Sequence, residues 1–300
     1  MADRRLQVFV AVAKHRNFTR AANALFMSQP AVTFQIKQLE DLYRTRLFER
    51  RHGSIALTPA GELVLPYAEK IMALSDEMES RMGEISGEIR GPLLLGASTT
   101  IGEWLLPALL AEFNALYPQV RIRLNVANST QIETQIVGHG LDLALIEAPA
   151  KLPGVASEVC GSDELVVICA PDYPLPAGRS IAAKTLADYE YIARESGSGT
   201  RDVSDAYFRT HKIDPQALKV QMELGSLEAV KKVVHLGLGY AIVSRAVVAP
   251  EIAAKSLRVL TLKPPLKRSL QLIYPQEKFR TRLADTFIEF AKHKFRELAA

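Results

Sequence analysis

Four short stretches place small hydroxyls beside glycine or asparagine, each where an apolar run gives way to a helical one. They are Ser98-Thr99-Thr100, Asn128-Ser129-Thr130, Ser196-Gly197-Ser198-Gly199-Thr200 and Gly225-Ser226. Hydroxyl donors and free backbone N–H groups at the positive end of a helix dipole are what a small anion requires. Taken singly, each corner reads equally well as an N-cap. Glu147 also follows a strand-like run and can face the same space. Arg194 and Arg201 can add positive charge there, or can be surface residues. The 196–200 loop lacks the Gly-Lys-Ser/Thr of a P-loop, which argues against a nucleotide phosphate. No large ring stands at these corners, so the expected ligand is small, either inorganic or a carboxylate.

A different chemistry occupies residues 17–51. Thr19 can cap a short helix ending near Leu25, with Ala21 and Ala22 small enough to admit a crossing helix. Ser28 can cap a second helix whose first turn accepts Pro30, where a missing N–H costs nothing. Val32, Ile36 and Leu39 fall at i, i+4, i+7 and form one apolar stripe. Pro30, Thr33, Phe34 and Lys37 then lie on the opposite face. A helix with a buried back and a small polar, basic and aromatic front is how a helix-turn-helix meets the major groove. A plain αα-hairpin is the alternative, but it gives no reason for an exposed Phe34 or for the basic run that follows.

The motifs Thr19-Arg20-Ala21-Ala22, Ser28-Gln29-Pro30-Ala31-Val32-Thr33, Gln35-Ile36, Leu39-Glu40, Leu47-Phe48-Glu49-Arg50 and Leu57-Thr58-Pro59-Ala60-Gly61 occur in order over about sixty residues. In this the chain resembles the LysR-type transcriptional regulators, whose length it also shares. The resemblance implies an N-terminal all-α winged helix-turn-helix over 1–58 and a long dimerisation linker helix over 59–90. It further implies a C-terminal α/β two-lobed effector domain of the type II periplasmic-binding-protein kind over 91–300. One lobe would be 91–161 with 266–300 and the other 162–265, with Gly161 and Pro264-Pro265 as crossover points. The DNA-facing set expected is Thr19, Arg20, Ser28, Gln29, Pro30, Thr33, Phe34, Lys37, Arg50 and Arg51, with 29–42 as the recognition helix.

Other elements follow from periodicity. Leu6, Phe9, Val10 and Ala13 mark an amphipathic helix over 3–14. Arg50, Arg51, His52, Gly53 and Ser54 read as a turn before the strand-like 55–58, a basic wing able to lie along phosphates or enter the minor groove. Thr58 and Pro59 open a helix over 59–88. Its Val64, Tyr67, Ile71, Leu74, Met78 and Ile85 form a heptad stripe interrupted by Arg81, which suits pairing with a second copy. Two reading heads then ask for a pseudo-palindromic operator. Beyond Gly91 the pattern is α/β. Strands are expected at 93–97, 121–125, 141–146, 164–169, 191–194, 220–224, 239–243, 257–262 and 269–274. Helices are expected at 100–116, 131–139, 201–211, 227–236 and 280–297. A type II fold would bring the four hydroxyl corners to one cleft. The effector set expected is Ser98, Thr99, Thr100, Ser129, Thr130, Glu147, Ser196, Gly197, Ser198, Gly199, Thr200 and Ser226.

Charge supports the division. Net charge is +4, yet residues 1–58 hold ten Lys/Arg against four Asp/Glu, and residues 59–90 three against seven. The excess of positive charge coincides with the reading head, as phosphate binding requires. No apolar run reaches membrane-spanning length and no signal-peptide core opens the chain, so a cytoplasmic protein is expected. An enzyme is disfavoured: the six histidines are scattered, and neither zinc-ligand spacing, nucleophile elbow nor dinucleotide fingerprint occurs. No metal or cofactor is expected. Residues 96–106 resemble regulators of sulfur and carbon assimilation, which points to a sulfur oxyanion as effector. Expected partners are promoter DNA, a second copy (with a tetramer implied by resemblance) and RNA polymerase if the protein activates. Two alternatives stay open: oxidant sensing through Cys160 and Cys169, or a ligand-binding module without promoter specificity.

Overall fold

A computed structural model of the chain describes residues 3–25, 27–51, 54–85, 88–276 and 280–299. These form two compact units, Met1–Gly91 and Pro92–Ala300.

The first unit opens with α1 (Arg4–His15), α2 (Phe18–Ala24) and α3 (Gln29–Tyr43). The cap of α2 is Asn17, not Thr19: its Oδ1 accepts the Arg20 N–H at 2.9 Å. Arg16 ends α1 in the left-handed region, which leaves Asn17 extended as the last non-helical residue and puts Thr19 inside the helix. Phe9, Val12, Ala21, Ala22, Val32, Ile36, Leu39, Leu47 and Phe48 share one core. The wing follows as an antiparallel pair, β1 (Phe48–Arg51) and β2 (Ser54–Leu57). Glu40 of α3 accepts from the N–H groups of Leu47 (2.8 Å) and Phe48 (3.3 Å), which fixes the wing to the end of α3.

Thr58 accepts from Gly61 N–H at 3.1 Å and so caps α4 (Pro59–Ile85), as the Thr-Pro pair predicts. Val64 leaves the expected seam and packs on the N-terminal core with Leu65 and Ala68. Leu63, Tyr67, Ile71, Leu74 and Met78 are exposed, Leu74 by 63%. The turn residues His52 and Gly53, and the side chains of Arg50, Arg51, Arg81 and Ile85, lie outside the described residues. Among the described residues no helix is long and apolar enough to cross a membrane.

The second unit begins with β3 (Gly91–Ser98), a π-helical turn (Ile101–Leu105), α5 (Leu106–Leu116), β4 (Val120–Ala127), α6 (Ser129–Val137) and β5 (Leu143–Ile146). The single helix expected over 100–116 is thus divided. Pro107 has no N–H to complete an α-turn, and the backbone widens ahead of it. Next come β6 (Val155–Cys169), β7 (Ser180–Ala182), α7 (Ala183–Leu186), β8 (Tyr191–Arg194), α8 (Gly199–Thr210) and β9 (Val220–Leu224). The chain closes with α9 (Leu227–His235), β10 (Ala241–Ser244), α10 (Ala249–Ala254), β11 (Arg258–Pro275) and α11 (Arg282–Ala299). Neither β7, α7 nor α10 was expected; each is too short to show a period.

The main sheet has the order β10-β6-β11-β5-β3-β4, with β7 on β11, and a separate parallel pair joins β8 to β9. The largest departure from expectation lies at 257–274. Instead of two strands, β11 is continuous and antiparallel to β6, with register breaks between Thr261 and Leu266, spanning Pro264-Pro265, and between Leu270 and Gln271. Both long strands serve two lobes. The end of β6 pairs with β10, whereas the end of β11 pairs with β5. Ile132, Ile136, Leu141, Ala144, Ile146 and Ile273 form the core of one lobe, and the other lobe packs clusters on both sides of Leu165–Cys169.

Candidate DNA interface and effector cleft

On α3, Val32, Ile36 and Leu39 are buried, while Gln29, Pro30, Thr33, Phe34 and Lys37 are exposed, Phe34 by 57%. Thr19, Arg20 and Ser28 are exposed as well. Ser28 holds the N-cap, its hydroxyl accepting from Ala31 N–H at 3.4 Å. Gln29 Nε2 donates to Thr33 Oγ1 (2.9 Å), and that hydroxyl donates to Gln29 O (3.1 Å), which pre-orders the first turn. Beyond the helix, exposed Arg44 and Arg46 border a broad recess shared with Thr33, Lys37 and the wing residue Ile55. Both arginines escaped the sequence reading because they fall between helix and wing. The backbones of Arg50 and Arg51 belong to β1, opposite Ile55 and Ser54.

In the second unit, Ser98, Thr99, Asn128, Ser129, Glu147, Arg194, Ser198 and Gly199 line one narrow cleft, closed so tightly that it leaves no room for a water molecule. Three of the four hydroxyl corners therefore meet. Ser98 is 2% exposed, and among the described residues its hydroxyl has no hydrogen-bond partner. Ser198 occupies the N-cap of α8, yet its side chain makes no capping bond. Gly199 permits a close approach: a Cβ there would stand 3.0 Å from both Glu147 Oε2 and Ser129 Oγ. Gly197, at φ +84°, turns the loop so that its carbonyl accepts the Thr130 N–H at 3.3 Å, closing one lobe on the other.

The remaining expected residues do other work. Ser226 is exposed and caps α9, accepting from Ala229 N–H at 3.3 Å. Ser196 is exposed, and its N–H donates to Glu223. Thr130 serves the lobe contact just described. Thr100 and Thr200 are buried behind the wall. Of the two candidate arginines, Arg194 reaches the cleft but is held by Glu195 (2.8 and 3.0 Å) and the Gly225 carbonyl. Arg201 is tied to Asp205 and the Arg194 carbonyl.

Behind the cleft wall lies a cation that the sequence reading missed. Arg268 is buried; its Nε and Nη2 reach Asp163 Oδ2 (2.8 and 2.7 Å) and its Nη1 donates to Thr200 Oγ1 (2.9 Å). Nη2 stands 4.0 Å from Glu147 Oε1. A signal was present. Leu266, Arg268, Leu270 and Leu272 alternate with period two, which marks position 268 as inward-facing once 266–272 is taken as strand.

Cys160 and Cys169 sit on one strand, β6, nine residues and so roughly 30 Å apart at the usual rise, far beyond disulfide reach. Both are buried. Desolvation pushes the Cys160 thiol up to about 12 and raises Cys169 as well, so neither is an accessible thiolate. Trp104, the only tryptophan, lies on the π-turn just after the cleft and packs on the apolar cluster around Val230 of the other lobe. Lys231 Nζ sits 4.3 Å above its ring, held also by Glu228 (2.6 Å) and Glu251 (2.9 Å).

Comparison with known proteins agrees with this arrangement. Residues 4–62 match the bacterial regulatory helix-turn-helix protein model of the lysR family, and residues 86–296 match the LysR substrate binding domain. The RuBisCO operon transcriptional regulator of Allochromatium vinosum is 35% identical over 288 residues, covering 96% of this chain and 94% of that one. The regulatory domain of CcmR from Synechocystis PCC6803, solved in complex with 2-PG, is 30% identical with a TM-score of 0.64, covering 70% of this chain and 99% of that one. Full-length CbnR complexed with its target DNA shares the fold at a TM-score of 0.69 and 21% identity, covering 98% and 99%. With both halves matched, the chain belongs to the LysR family of transcriptional regulators.

Proposed function

We propose that the exposed side of α3 reads a promoter half-site and that the cleft takes a small anion which sets the state of the regulator. Thr33 and Phe34 meet base edges, while Lys37, Arg20, Arg44 and Arg46 meet phosphates, with the first-turn N–H groups of α3 assisting. Arg50 and Arg51 extend the contact from the wing. Two copies pair along Tyr67, Ile71, Leu74 and Met78 of α4 and so address a pseudo-palindromic site.

The observation that carries the anion reading is the Ser98 hydroxyl, buried without a partner among the described residues, beside the starts of α6 and α8. Buried polar groups are nearly always satisfied, so such a group asks for a ligand. The cleft is closed, so its walls must part to admit a ligand, and a compact oxyanion asks for the least opening. By size alone an oxyanion of sulfur qualifies, and so does the phosphate end of a ligand such as the 2-PG bound by CcmR. Occupancy acts by favouring one arrangement of the lobes, and through it the DNA bend the dimer prefers. Titrating small oxyanions and carboxylates while following Trp104 emission, with promoter footprinting at saturation, tests both parts. Emission should change on binding, and Ser98→Ala should abolish that change and spare operator binding. An unchanged footprint and bend at saturation would sink the switching mechanism, and loss of operator binding in Ser98→Ala would sink the division between head and cleft.

A further inference from the structure

Resting on the reading of the cleft as an anion site, one wall residue narrows the ligand's chemistry. Glu147 is a carboxylate in a place otherwise suited to negative charge. It is 2% exposed, directly follows β5 and lines the cleft together with Ser98 and Ser198. Among the described residues it receives one hydrogen bond, from Ser129 Oγ to Oε2 at 3.3 Å. Arg268 Nη2 stands 4.0 Å from Oε1, too far for a hydrogen bond, while the hydrogen bonds of that guanidinium run from Nε to Asp163 and from Nη1 to Thr200. An ionised carboxylate offers about four acceptor directions, so most of those on Glu147 are unused in a site of low exposure.

A ligand entering the cleft meets donors from hydroxyls and helix N-termini and, beside them at the starts of α6 and α8, the unused acceptor lone pairs of Glu147. An anion with oxygen atoms only would set its own lone pairs against those of Glu147, a buried repulsion that costs more than the donors return. We infer that Glu147 selects for an anion that keeps a hydrogen-bond donor. The class comprises singly protonated oxyanions, hydroxy acids and amino acids, with the O–H or N–H pointed at Oε1. Fully deprotonated oxyanions are excluded. The logic is that of discrimination by an unpaired buried group, which rejects far more strongly than a missing apolar contact does.

Matched pairs of probes test this on the full-length protein. Sodium phosphate and sodium sulfate near pH 7 are close in size and charge, but only phosphate retains a proton. Glycolate and acetate differ by one hydroxyl. Affinities by calorimetry, with melting temperature as a second readout, should favour the donor-bearing member of a binding pair at least tenfold. Glu147→Gln, which keeps the shape and adds an N–H, should bring that ratio close to one by gaining the donor-free anion. Equal or tighter binding of sulfate or acetate by the natural protein overturns the inference and leaves the anion site standing. If no member of either pair binds, the anion site itself falls. Should Glu147→Gln fail to fold, the preference within each pair on the natural protein still decides.

Discussion

Arg268 and Thr200 are joined by a 2.9 Å hydrogen bond that links a lobe-crossing strand to the start of α8. The guanidinium also pairs with Asp163, whose side chain is 7% exposed. Arg268→Ala should lower stability by about 3–5 kcal/mol, because it strands that carboxylate, whereas Thr200→Val should cost only about 1–3 kcal/mol. Melting temperatures of the two variants check the order; a milder effect for Arg268→Ala would mean the pair is not the support it looks to be.

On DNA, the two kinds of α3 contact should separate. Lys37→Ala is expected to weaken binding evenly across sequences and reduce the slope of log K against log salt by about 1. Thr33→Ala should leave that slope alone and relax preference at one base pair, by about 1–3 kcal/mol. Fluorescence anisotropy over a salt series, with a set of single-substitution operators, distinguishes them.

Glu158 supplies a pH signature. The Lys292 ammonium, then the Tyr274 hydroxyl and Arg280, hold its carboxyl at about 2, below the ordinary 4.5. Since the folded value is the lower one, the unfolded chain takes up the proton first. The stabilisation is therefore complete above about pH 4.5 and disappears as pH falls towards 2. The melting-temperature gap between the natural protein and Glu158→Gln should be widest near neutrality and narrow steadily below pH 4.5; a gap independent of pH would indicate lost packing instead.

Both cysteines should be silent. In the folded protein neither Cys160 nor Cys169 should react with a thiol reagent at neutral pH, and both should react after denaturation. Peroxide treatment should leave operator affinity unchanged. Rapid modification of either thiol in the native state would reopen the oxidant-sensing alternative.

The reading head was legible because its residues are local. One apolar stripe, Val32-Ile36-Leu39, orients the helix and exposes Thr33, Phe34 and Lys37. The cleft was legible only in part. Ser98, Ser129 and Ser198 announce themselves as hydroxyls at strand ends, but the same signature covers Ser226, which merely caps α9. Arg268 was hidden because Pro264-Pro265 reads as an interruption, whereas the chain stays extended through it and resumes pairing at Leu266. Thr19 lost the cap of α2 to Asn17 because a left-handed residue, Arg16, ends the helix before it. Each error came from contacts that span either a few unforeseen backbone angles or a hundred residues of chain.

Asp163 and Arg268 face each other as cross-strand neighbours on β6 and β11, the two strands common to both lobes. That makes the ion pair a fixed post on the axle of the domain, while Thr200 and Glu147 ride on the leaves that swing about it. Parting the leaves would break the Arg268–Thr200 hydrogen bond and carry Glu147 away from the guanidinium, so opening the domain works against contacts made at the pivot itself.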